Sequence, residues 1–191
     1  LLDFFAADAE ASKKLQDFDW DKLFYAPGYP EKPHFDDSMV KGCYALADKW
    51  KARVSGSGSD KAFEPSKSDT ESWVANQSVV FLEAVQAFGE SFSPSDVLLL
   101  GNTYGYMATQ NIEVVARFFA LGLMAKTREV YEPTAELLGR IGRMKFVRPL
   151  YRALERADRE LAVSTFERNR EFYHPICRQM VEKDLFGEGE G

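Results

Sequence analysis

Histidine and cysteine, the side chains that most often bind metals or act as nucleophiles, are scarce in this sequence. It holds two of each in 191 residues. The histidines, His34 and His174, lie far apart, and neither has a second His, Asp or Glu at the spacing a hydrolytic zinc site requires, as in H-E-x-x-H. His34 sits in a loop and His174 at a helix end, so neither is read as a ligand. Cys43 and Cys177 fall within helical patterns and are expected to be buried free thiols; two cysteines make no disulfide framework in a chain of this size. They point to a reducing compartment, the cytoplasm. Long apolar runs are missing too: Val97 to Leu100 is far short of the roughly 20 residues that span a membrane. Leu1-Leu2-Asp3-Phe4-Phe5 lacks the basic start of a secretion signal, and the chain reads as a piece of something longer.

Excess positive charge is also lacking. A net charge of −6 and a pI near 5.1 argue against a nucleic-acid binder that relies on overall charge. No G-x-S-x-G nucleophile turn, no phosphate loop and no strand-borne G-x-G-x-x-G occurs. Asp36-Asp37 opens a helix, but Val40 and Lys41 stand where a magnesium-binding motif would need a further acid. Acids at a helix N-terminus are favourable with the dipole and need no ligand.

What remains is helical. Met39, Val40, Cys43, Tyr44, Leu46, Ala47 and Trp50 recur at spacings of three and four, which predicts a helix from about 36 to 53. Ser68 and Glu71 suggest a capping box ahead of a helix that ends at Gly89. Ser93-Pro94 supplies an N-cap followed by proline in the first helical position. Asn111 caps the next helix, and a fifth, delayed or bent by Pro133, covers about 127 to 141. Three more are expected over about 145–157, 158–173 and 175–185, the last pair broken at His174-Pro175. Strand signals are nearly absent. Antiparallel helices in two layers follow, an all-α, armadillo-like α-α superhelix without a repeated motif. Residues 1–24 read as a connector and 25–191 as one helical domain. Within it, the Ser/Gly-rich segment 54–67 is a flexible surface loop, where limited proteolysis is expected to cut first.

One stretch inverts the local charge. Between Leu137 and Leu154 lie Arg140, Arg143, Lys145, Arg148 and Arg152, with no acid among them. Gly139 and Gly142 end one helix and Pro149 falls in the first turns of the next, which places Arg143 and Lys145 at a helix N-terminus. Unpaired N–H groups and the dipole favour an anion there, and a guanidinium can grip a carboxylate with two hydrogen bonds. Such a turn is either a carboxylate or phosphate receptor or an exposed basic face, with Arg148 and Arg152 as i,i+4 surface neighbours.

Gly142-Arg143-Met144-Lys145-Phe146-Val147-Arg148-Pro149-Leu150 resembles the G-R-M-K-F-x-R-P-L signature in the C-terminal domain of the leukotriene A4 hydrolase family of zinc aminopeptidases. Phe18-Asp19-Trp20-Asp21, Leu23, Tyr25-Ala26-Pro27-Gly28 and Pro30 resemble the entry to that domain. His174-Pro175 and Lys183-Asp184-Leu185 resemble its close. The resemblance implies a helical domain that closes one side of the cleft of a peptidase whose zinc, H-E-x-x-H ligands and general base lie on a separate catalytic domain. Residues 1–24 would be the end of that catalytic domain. Arg143 and Lys145 would bind the carboxylate of a peptide or of a fatty-acid epoxide, and Arg148 would serve structure. This chain would then hold no catalytic residue and no metal, and would be inactive alone. A helical interaction scaffold without a catalytic parent is the alternative; it leaves the linear match unexplained.

Overall fold

The computed structural model describes residues 1–29, 35–56 and 63–187. Pro30, His34 and residues 57–62 of the expected 54–67 loop lie outside those residues. The chain divides into two compact units, 1–36 and 37–191, so the division falls twelve residues beyond the connector's expected end at 24. Among the described residues every regular element is helical and none is a strand. None of the described helices is long and apolar enough to cross a membrane.

The first unit carries α1 (Ala9–Gln16) and α2 (Trp20–Tyr25). Each starts on an aspartate whose carboxylate accepts backbone N–H groups: Asp8 from Glu10 and Ala11, and Asp19 from Lys22. Neither helix buries a residue. The Trp20 ring lies 4.7 Å from Phe18 and 6.1 Å from Phe24, and its indole N–H donates to the Leu15 carbonyl.

The second unit holds α3 (Ser38–Val54), α4 (Ala75–Gln86), α5 (Pro94–Thr103), α6 (Ile112–Met124), α7 (Tyr131–Leu138), α8 (Met144–Ala157), α9 (Arg159–Asn169) and α10 (Pro175–Phe186). The caps at Ser93, Asn111 and Asp158 form as their sequence dictates, each side chain accepting an N–H of the first turn. Two local expectations are corrected. The capping box belongs to Ser66 and Asp69, closing a single 3-10 turn, and α4 begins only at Ala75 with the Gln77 side chain accepting from the Val74 N–H. His174, expected at the end of a helix, stands at the start of one: its Nδ1 accepts the Ile176 N–H and caps α10.

Helix α6 explains the layering. It buries eight residues, Val114 to Ala116, Phe118, Phe119 and Leu121 to Leu123, on more than one face, so it must be covered from several sides. α4 packs on one flank and α8 on the other, α10 continues the row beyond α8, and α5 and α7 lie against α6 from the second layer with α9 behind α8. The result is the two-layered antiparallel stack expected from the sequence. Close approach requires small residues: a Cβ added at Gly122 would lie 2.7 Å from a Val130 methyl. Just beyond the Ala125 C-cap of α6, Lys126 at φ 54° is a left-handed residue that lets the Thr127 N–H reach back to the Gly122 carbonyl at 2.8 Å.

Cys43 and Cys177 are both buried and unbridged, and burial raises the pKa of each thiol above its ordinary value.

Candidate functional site

The turn from α7 into α8 is fixed from behind before any cation is placed. The Tyr173 hydroxyl donates to the Leu138 carbonyl at 2.7 Å, and the Tyr151 hydroxyl lies 2.9 Å from that of Tyr173. With the Tyr173 proton committed to Leu138, Tyr151 is the donor of the second bond. Burial pushes both phenols upward, Tyr173 to about 12, so the chain of hydroxyls stays protonated across the physiological range. Leu138 is the last residue of α7, and Phe146, Val147 and Leu150 anchor the first turns of α8 in the core. The backbone between them therefore has little freedom.

Arg143 is the N-cap of α8, with extended backbone (φ −75°, ψ 114°) and no side-chain cap of its own. Its carbonyl accepts from the Phe146 and Val147 N–H groups, which starts the helix. Lys145 follows in the first turn. Their side chains converge over the Phe146 ring, 5.8 Å from its centroid for the Arg143 guanidinium and 5.1 Å for the Lys145 ammonium. Both remain reachable by solvent: the Arg143 side chain is 70% exposed and that of Lys145 48%.

The sequence reading missed a third member. Glu113, in the first turn of α6, sets its carboxylate beside this pair: Lys145 Nζ donates to its two oxygens at 2.9 and 2.8 Å. Arg117, one turn further along α6, binds Glu113 Oε2 at 2.9 Å and the Glu113 carbonyl at 2.7 Å. On its other side Arg117 pairs with Glu83 of α4 at 2.7 Å. The hydrogen bonds from Lys145 and then Arg117 hold the Glu113 carboxyl below the usual carboxylate range. Burial works against the Arg117 charge, but its two carboxylate partners overcome that and raise its pKa. Arg143 Nη1 stands 3.9 Å from Glu113 Oε1, too far for a hydrogen bond. Beside the ion pairs a cleft of 220 Å³ opens, floored by Ala116, Ala120, Phe146, Pro149 and Leu150.

The other cations of the charged stretch do different work. Arg148 and Arg152 are not a solvated face: both grip Asp184 of α10, Arg148 through two hydrogen bonds (2.5 and 2.9 Å) and Arg152 through one of 2.7 Å. The Asp184 side chain is 8% exposed. Burial alone would raise its carboxyl pKa, but the two guanidinium groups outweigh burial and lower it. A carboxylate whose folded pKa is depressed contributes stability that is present above its unfolded pKa, about 3.9, and lost as pH falls through the folded value. Asp184→Asn should therefore lower the melting temperature at pH 7, and the gap from wild type should close as pH drops below about 4. A gap that persists unchanged at pH 2–3 would show that Asp184 acts through packing alone. Arg140 is exposed at the mouth of a separate 340 Å³ cavity lined by Ile112, Val115, Phe119 and Leu137.

Among the described residues, no group of three His, Cys, Asp or Glu side chains comes together in a way that could hold a metal ion. The cluster can receive an anion; it has no paired base and nucleophile with which to break a bond.

A family model described as leukotriene A4 hydrolase, C-terminal, matches residues 73–185. Leucine aminopeptidase 2 of Phaeosphaeria nodorum is 66% identical over 188 residues, covering 98% of this chain and 30% of that protein. The leukotriene A-4 hydrolase homolog of Botryotinia fuckeliana is 55% identical over 185 residues, covering 97% of this chain and 27% of that protein. Among solved structures, native leukotriene A4 hydrolase from Saccharomyces cerevisiae aligns with a TM-score of 0.82 at 34% identity, over 95% of this chain and 31% of that one. The chain thus spans about 30% of the length of the curated relatives it matches.

Proposed function

Because this chain belongs to the leukotriene A4 hydrolase C-terminal family, we propose that it forms one wall of the cleft of a zinc aminopeptidase, with Arg143 and Lys145 receiving the substrate carboxylate. The observation that carries the reading is the state of Arg143. Its guanidinium stands at a helix N-terminus, 70% exposed and 3.9 Å from Glu113 Oε1, beyond hydrogen-bond reach, beside a lysine already oriented by Glu113. An incoming carboxylate would gain a bidentate partner, a neighbouring ammonium and the positive end of the α8 dipole. The residues described here do not fit a zinc ion, so the metal and the chemistry of bond cleavage belong to the rest of the parent protein. This chain's part is to fix the far end of the substrate, which places the reacting bond. A peptide with a free C-terminus is the substrate class the site suits; a fatty-acid epoxide with its own carboxylate offers the same anion. A helical scaffold without a catalytic parent leaves the family match over residues 73–185 unexplained.

The test is made on the full-length parent with matched tripeptides that differ only in ending as an acid or an amide. Removing the carboxylate should lower kcat/KM by about tenfold or more, the worth of a charge-assisted hydrogen bond. Equal turnover of acid and amide would remove the anchor from the reading.

A further inference from the structure

The cations at the mouth of α8 are not all available to a ligand. Arg117, Lys145 and Arg143 face two carboxylates, Glu83 and Glu113. Arg117 is paired on both sides, and Lys145 holds both oxygens of Glu113. One positive charge is left over, and it resides on Arg143. Glu113 is itself firmly placed. It lies in the first turn of a helix capped by Asn111, and its carboxylate is fixed from one side by Arg117, whose side chain is only 17% exposed. To swing away and let Lys145 present a bare charge, it would have to give up the 2.9 Å hydrogen bond from Arg117.

We propose that Glu113 is a specificity-determining residue, which sets the anion site at a single surplus positive charge so that it accepts one carboxylate and discriminates against ligands that bring two. This rests on the reading of Arg143 and Lys145 as a carboxylate anchor and names the substrates that anchor prefers. Two opposite roles meet in one side chain. Glu113 orients the Lys145 ammonium, which helps any carboxylate, and it repels the second negative charge of a dianionic end such as a C-terminal aspartate or glutamate residue. The repulsion has a readable size. Charges a few ångströms apart at a solvent-exposed site interact strongly enough to change affinity by about three- to tenfold, and salt weakens the effect.

The experiment uses the full-length parent and two tripeptides identical except for the last residue, leucine in one and glutamate in the other. Wild type should show the lower KM for the leucine peptide. Glu113→Gln keeps an oxygen that can accept from Lys145 but removes the charge. It should lower KM for the glutamate peptide by about three- to tenfold, and for the leucine peptide by clearly less, with kcat little changed. The gain should fade as salt is raised. Glu113→Asp keeps the charge and should keep the wild-type KM ratio, which guards against reading a folding defect as a change of specificity. A KM ratio in Glu113→Gln equal to that of wild type, or KM rising for both peptides alike, overturns the proposal and leaves Glu113 a tether for Lys145. Arg143→Ala, assayed beside it, separates the two levels. If that variant loses nothing on free acids, the anchor itself is wrong; if it loses activity while the Glu113→Gln ratio stays fixed, only the role given to Glu113 falls.

Discussion

In the full-length parent, Arg143→Ala should lower kcat/KM for a free-acid tripeptide by roughly 10- to 100-fold, whereas Arg156→Ala should leave it within about threefold. Both changes remove one positive charge from α8, so overall field effects are nearly matched. They differ in placement. Arg143 is the N-cap, with its guanidinium 70% exposed beside Glu113 and Lys145; Arg156 is an exposed residue of the last turn. Arg152 would be a poor control, because it is tied to Asp184 and its loss disturbs the α8–α10 contact. Arg143→Lys should recover only part of the loss, since an ammonium cannot form the bidentate fork. On a C-terminally amidated peptide the Arg143→Ala deficit should shrink to a few-fold. Equal and mild effects of Arg143→Ala and Arg156→Ala on free acids would reduce the cluster to a basic surface.

That contrast between Arg143 and Arg152 shows where sequence reasoning reaches and where it stops. Local signals were legible because their physics is local. The apolar spacing from Cys43 to Trp50, the Ser93-Pro94 start and the Asn111 cap each act within a few residues, and each forms as expected. The position of Arg143 and Lys145 at a helix start is of the same kind. The partners of those cations are not. Glu113 meets Lys145 across 32 residues, and Asp184 meets Arg152 across the same distance. No periodicity announces either pair; they exist because α6 packs on α8 and α8 on α10. The Ser66–Asp69 box fails for a different reason. Two serine–acid pairs stand two residues apart, Ser66 with Asp69 and Ser68 with Glu71, and only tertiary contact chooses between them. Asp69 accepts the Tyr104 hydroxyl at 3.0 Å from 35 residues away, which holds it, rather than Glu71, at the capping position.

The same hydrogen bond belongs to a chain that runs through Trp50, the largest fully buried side chain among the described residues. Trp50→Ala should destabilise the helical domain by about 3–5 kcal/mol, a large share of the roughly 5–15 kcal/mol that ordinarily holds a domain folded. The ring is fully buried on α3. It stacks on Phe92 at 5.8 Å and meets Phe63 and Tyr104 edge-on at 5.9 and 6.2 Å. Its indole N–H donates to the Tyr104 hydroxyl at 3.1 Å, and that hydroxyl donates in turn to Asp69. Truncation therefore leaves a large cavity among aromatic walls and removes the donor that Tyr104 expects. Trp50→Phe separates the two contributions. It restores most of the ring volume but not the N–H, so it should cost about 1–2 kcal/mol, the worth of a partly buried hydrogen bond plus a smaller void. Urea denaturation followed by circular dichroism at 222 nm measures both variants. If Trp50→Phe proves as damaging as Trp50→Ala, the hydrogen-bonded chain to Asp69, and not aromatic packing, holds α3 against α5. If both are mild, α3 is not part of the cooperative core, and the packing of Trp50 between Phe92 and Tyr104 does not set the domain's stability.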